Sequence, residues 1–122
     1  MERPIVAVQE PVDPKAVIIE MNRHFDTGSS DVVLDLSLLS KLKDDRVQEL
    51  MWELEAEFAL QGKGIVIKIA PSPERETIIK LLSNCDVITE VVVKGPKVSV
   101  ESLLRALKDK LYIMMPIHPE FV

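Results

Sequence analysis

Few residues in this 122-residue chain have the type and spacing that chemistry requires. Two histidines are present, His24 near the end of an amphipathic segment and His118 close to the C-terminus. Neither has a cysteine or carboxylate at metal-ligand spacing, so both are expected to be structural or surface residues. The single cysteine, Cys85, falls on an apolar stripe with Ile78 and Leu82, the position of a buried, inert thiol. Gly62-Lys63-Gly64 follows a helical segment and precedes a strand. A phosphate-binding loop needs the opposite order, because only a strand that leads into a helix aims free amides at the anion. No Ser-His-Asp set has a local signature. The expectation is a protein that is not an enzyme and holds no cofactor or metal.

Two features survive this inventory. Lys43-Asp44-Asp45-Arg46 stands at the start of a long helical pattern. Asp44 or Asp45 there can accept amide hydrogen bonds as a cap and complement the helix dipole, or present a negative recognition point. The second feature is Trp52, which at 100° per residue falls opposite Val47, Leu50, Leu54 and Phe58. Ala56, Ala59 and Leu60 lie near it, with Glu49 and Glu53 as a polar border. Such a Trp is either a partner surface or a side chain covered by the C-terminal tail.

These residues need elements to position them. Asp31–Ala70 contains a buried strand (Val32 to Ser37), a polar turn (Leu38 to Asp45), a helix (Arg46 to Gln61) and a second strand (Gly64 to Ala70). That is one strand–helix–strand unit, and its turn lies at a strand's carboxyl end, where open α/β sheets place functional residues. Ahead of it, Ile5–Val8 predicts a strand, and Asp13-Pro14 starts a helix with Val17, Ile18, Met21 and Phe25 inward. Gly28 supplies a left-handed stop, and Val12 can staple onto Val17. After it, Ser72-Pro73-Glu74 opens a helix with Ile78, Leu81, Leu82 and Cys85 inward, ended by a left-handed Asn84. Val87–Val93 is a further strand, and Val100, Leu103, Leu104, Leu107 and Leu111 mark a last helix. Residues 112–122, from Tyr112 through Met114 to Val122, form a tail without helical punctuation. The alternation predicts one α/β domain over residues 1–122, a mainly parallel four-stranded sheet. The near-continuous apolar strands imply helices on both of its faces.

Composition narrows the class. The hydrophobic share is 47% and the charged share 29%, ordinary for a globular domain. A formal net charge of −5 and the lack of basic runs argue against nucleic acid as a partner. No apolar run approaches the roughly 20 residues of a membrane span. Met1-Glu2-Arg3-Pro4 has no signal-peptide core behind it, and one cysteine cannot close an internal disulfide. A cytoplasmic location is expected.

The order of elements, with Val32-Val33-Leu34-Asp35-Leu36-Ser37 followed by a turn and long helix, resembles a STAS domain. These are the domains of bacterial anti-sigma-factor antagonists and of sulphate-transporter tails. Gly64–Ala70, and Pro73-Glu74-Arg75 through Leu81-Leu82 to Val91, resemble the family's next elements, so the likeness spans roughly residues 5–111. The resemblance implies an α/β regulatory module acting in transcription signalling, with a kinase-type anti-sigma factor as partner. In signalling members the turn carries Asp-Ser-Ser-Gly, whose first serine is phosphorylated. Laid ungapped from Leu34-Asp35-Leu36-Ser37, that motif falls on Lys43-Asp44-Asp45-Arg46, and Asp44 takes the serine's place. Asp44 cannot accept a phosphoryl group, and it has one charge where phosphoserine has nearly two. Ser37 and Ser40 are nearby hydroxyls at non-matching positions, and the family's opening hairpin is abbreviated ahead of Ile5.

Three expectations follow. The first is a regulatory module binding a protein through Ser40, Lys43, Asp44, Asp45 and Trp52, without the usual serine switch. The second is an assembly protein forming a homo-oligomer through Trp52 or the C-terminal tail. The third, an enzyme or small-ligand carrier, requires a deep pocket with convergent polar groups.

Overall fold

Strands and helices alternate throughout the computed structural model, which describes residues 2–72, 74–110 and 115–122. The strands are β1 (Ile5–Ala7), β2 (Asp31–Asp35), β3 (Gly64–Ile69), β4 (Ile88–Gly95) and β5 (Ile117–Phe121). Between them lie α1 (Pro14–Asp26), α2 (Asp45–Phe58), α3 (Arg75–Ser83) and α4 (Lys97–Lys110). The sheet order is β1-β2-β3-β4-β5 and every neighbouring pair is parallel. The α/β alternation is as expected. The expected count of four strands is corrected to five, because part of the expected tail pairs with β4.

Proline explains why β5 does not look like a strand in sequence. Val91 N donates to Pro116 O at 3.0 Å and Val122 N donates to Gly95 O at 3.1 Å. In the alternating parallel ladder, residues 116, 118, 120 and 122 therefore bond to β4, and Pro119 faces outward. Its missing N–H leaves no gap in the ladder and removes a donor from the exposed edge.

The helices begin where local chemistry allows. Asp13 caps α1 by accepting from Ala16 N at 3.3 Å, and Pro14 takes the first position. Val17, Ile18, Met21 and Phe25 are buried, and Gly28 closes the turn at φ 106°, a conformation costly for other residues. The start of α3 differs from expectation. Ser72 is not its cap but accepts from Glu74 N at 3.0 Å, just ahead of the helix. Glu74 holds the cap position without capping, since its carboxylate accepts from Leu42 N at 3.1 Å. Asn84 ends α3 at φ −101°, not in the left-handed region, with its N–H still bonded to Lys80 O. Pro73, Leu111, Tyr112 and Met114 lie outside the described residues.

All four helices bury their inner faces in one core, so helices on both faces of the sheet, as the apolar strands implied, are not what forms. Val6, Val32, Leu34, Ile65, Ile67, Ile69, Val91 and Val93 point into that core, where they join inward residues of α1 to α4. A sequential parallel order with crossovers of one hand requires this, because each crossover lands on the same side. Phe25 of α1 meets Phe58 of α2 edge to face at 5.3 Å. Val33 and Val66 point the other way, yet are only 6% and 1% exposed. They lie in register between Ile5 and Glu90. Arg3 bonds Glu90 at 2.7 Å and Lys68 pairs with Glu120 at 3.3 Å on this side. Long charged side chains thus shield Val33 and Val66 with their stems, in place of a second helical layer. No described helix is long and apolar enough to cross a membrane.

Candidate functional site

The polar turn after β2 is held at nearly every step. Asp35 Oδ1 accepts from Ser37 N at 2.9 Å and from Ser37 Oγ at 2.6 Å, which starts the turn. Leu39 N returns to Leu36 O, closing a short loop whose tip is the 61%-exposed Leu38. Ser40 then donates both N–H and Oγ–H to Glu10 Oε1, each at 2.6 Å. These two bonds hold the Glu10 carboxyl below its ordinary range, with a smaller contribution from Lys41. Leu42 is buried, and its N–H donates to Glu74. Asp44 Oδ1 accepts from Arg46 N at 2.8 Å, and Gln48 N returns to Asp44 O at 3.1 Å.

The β2–α2 turn is therefore clamped from both flanks, by Glu10 from the β1–α1 loop and Glu74 from the β3–α3 loop. Parallel strands in sequential order set these three loops side by side. The same order has no reversal point, and so lacks the crevice that such a reversal opens in doubly wound sheets. What the carboxyl-end loops form is a surface, pre-ordered by hydrogen bonds.

Of the residues expected at the site, Ser40 faces the β1–α1 side through Glu10. Lys43 faces the opposite side, where it borders a groove of about 230 Å³ between α2 and α3. Val47, Met51 and Leu81 give this groove an apolar floor. Asp44 is the helix cap, which settles the choice between Asp44 and Asp45, and Asp45 is the first residue of α2. Trp52 is 66% exposed. The described tail residues cannot cover it, because residues 117–121 are occupied as a strand beside β4. Ser40 and Lys43 thus lie apart, while Asp45, Glu49, Trp52, Ala56 and Ala59 form one outward ridge at helical spacing.

The helix that carries this ridge has a distinctive charge. α2 holds five carboxylates against one guanidinium, a formal −4 of the chain's −5. Counted the same way, α1 is neutral, α3 is +1 and α4 is +2. Helix stability does not require this. The last turn of α2 has no basic residue to complement the negative end of the dipole. Two of its acids have tertiary work: Glu55 accepts from Asp86 N at 2.6 Å and Glu57 accepts from Asn22 at 3.0 Å. Glu49 has a loose 3.5 Å contact to Arg46, and among the described residues Glu53 makes no ion pair. Both flank Trp52.

Sequence reasoning missed Glu10 and Glu74 as clamps. The available signal was position, since each follows a parallel strand and so lies beside the turn after β2. Elsewhere, burial pushes the Cys85 thiol up to about 11, so it is neither a nucleophile nor a ready ligand at neutral pH. Among the described residues no group of three His, Cys, Asp or Glu side chains gathers as a metal site. Comparison with protein-family models, curated proteins and solved structures returns no match.

Proposed function

We propose that this chain is a non-catalytic regulatory module, similar to the STAS domains of anti-sigma-factor antagonists. It binds another protein through the turn at 38–45 and helix α2, in the cytoplasm and without a serine phosphorylation switch. A kinase-type anti-sigma factor is the partner that the resemblance implies. The observation that carries the reading is Trp52, 66% exposed on a helix whose N-terminal turn is clamped from both sides. A rigid aromatic side chain on a pre-ordered surface loses little entropy on docking, which is the character of a binding hot spot. Asp44 supports the absence of a switch, because its carboxylate is engaged as the cap of α2.

A homo-oligomer through Trp52 fits the charges less well. A two-fold contact would place α2 against its copy, −4 against −4, and like charges across an interface are repulsive. The test is capture of partners from the native cell with wild-type, Asp44→Ser and Trp52→Ala proteins. Loss of the same partner with Trp52→Ala supports the surface. Wild-type capture by both variants overturns it.

A further inference from the structure

We infer that the occupant of the α2 ridge is a basic, amphipathic helical segment of the partner, with a Lys or Arg seated over Trp52 between Glu49 and Glu53. This inference rests on the proposed surface and adds the chemistry of what it binds. Charge complementarity carries it. Among the helices the net negative charge is gathered on α2, whereas the other three are neutral or positive. The exposed apolar groups here are Trp52 at 66% on α2 and Leu60 at 100% in the turn just past its end, and Ala56 and the capping Ala59 lie on the same outward side as Trp52. The small alanines leave room for a second helix to approach, and the carboxylates stand beside the indole.

An indole face attracts cations through its quadrupole, and Trp is the strongest of the aromatic side chains in this respect. A guanidinium or ammonium placed there meets Glu53, which has no ion pair among the described residues, and Glu49 after displacing only a loose one. An acidic segment would meet like charge at Asp45, Glu49 and Glu53. A second copy fits less well. Its α2 repeats the same charge, and α4, the most basic helix, would bind head to tail and build open chains of subunits. The occupant best matched is a helix with apolar residues along one stripe and Lys or Arg at its borders.

Trp52 is the only tryptophan, so its emission reports directly on the ridge. The full chain is titrated with two tryptophan-free synthetic helices, one of leucine and lysine and the other of leucine and glutamate. The expected result is a saturable blue shift with the leucine–lysine helix and none with the leucine–glutamate helix. By peptide anisotropy, Glu49→Gln with Glu53→Gln should weaken binding about tenfold, as two exposed charge pairs would. Trp52→Ala should weaken it at least as much, with an unchanged urea midpoint because the indole is exposed. Equal binding of both helices, or undiminished binding by the Gln pair, overturns the assignment. Self-association through α2 in sedimentation also overturns it. The underlying surface is judged separately, since Trp52→Ala would still lose its native partner if the surface were right and the basic occupant wrong.

Discussion

Glu10 and Ser40 show how one carboxylate can order a surface. Two hydrogen bonds from Ser40 hold the Glu10 carboxyl below its ordinary value, so the folded state favours the ionised form. The clamp is complete above the ordinary carboxylate range and is lost as the pH falls through the lowered value. Protection of the Ser40 amide, taken against its intrinsic exchange rate at each pH, is expected to fall over that acid window in wild type, and to be reduced at neutral pH in Glu10→Gln. An NMR titration that finds Glu10 at an ordinary value, with Ser40 exchange indifferent to the variant, would refute the clamp. Ser40 is singled out by the sequence, but Glu10 is not. Glu10 precedes a proline in a short loop, and only the adjacency of parallel loops brings it to Ser40.

At the scale of the element, α2 was largely legible. Val47, Leu50, Met51, Leu54 and Phe58 are its buried stripe as their spacing predicts, and Trp52 is outward as predicted. Local chemistry sufficed because helix period and cap geometry depend on near neighbours. Asp44→Ala should destabilise the protein by about 1 kcal/mol in urea, the usual value of an N-cap. Asp44→Ser should remain within a few tenths, since serine caps comparably. Equal stability of all three would show that the bond to Arg46 N contributes nothing. Element ends were harder to read. Glu74 has the charge expected at the start of α3, yet its carboxylate is drawn to Leu42, and the helix begins one residue later.

The whole molecule was least legible. Strands β2 and β3 are apolar on both sides, which in isolation implies two helical layers. The structure has one, and Arg3–Glu90 and Lys68–Glu120 lie on the other side. Lys68 is only 13% exposed along its side chain and Glu120 is its ion-pair partner. Glu120→Gln should therefore destabilise by about 1 kcal/mol, discounted for the half-exposed carboxylate. Lys68→Met with Glu120→Gln should recover most of that loss, because an apolar side chain needs no partner there. Denaturation midpoints decide it, and an unaltered single variant would show that the pair does not support the open face.

What the sequence by itself determined is the set of elements: apolar runs, helical stripes and caps at Asp13 and Asp44, all products of interactions within a few residues. It also singled out Trp52 and the turn before it. Tertiary structure alone decided that residues 117–121 complete the sheet, that the helices share one face, and that Glu10 and Glu74 converge on the turn. The physical reason is range. A strand's partner, the side on which a crossover lands and the reach of a carboxylate across loops depend on residues far apart in the chain, such as Ile65 and Ile88 or Glu10 and Ser40. No local pattern encodes such pairings until the sheet brings them together.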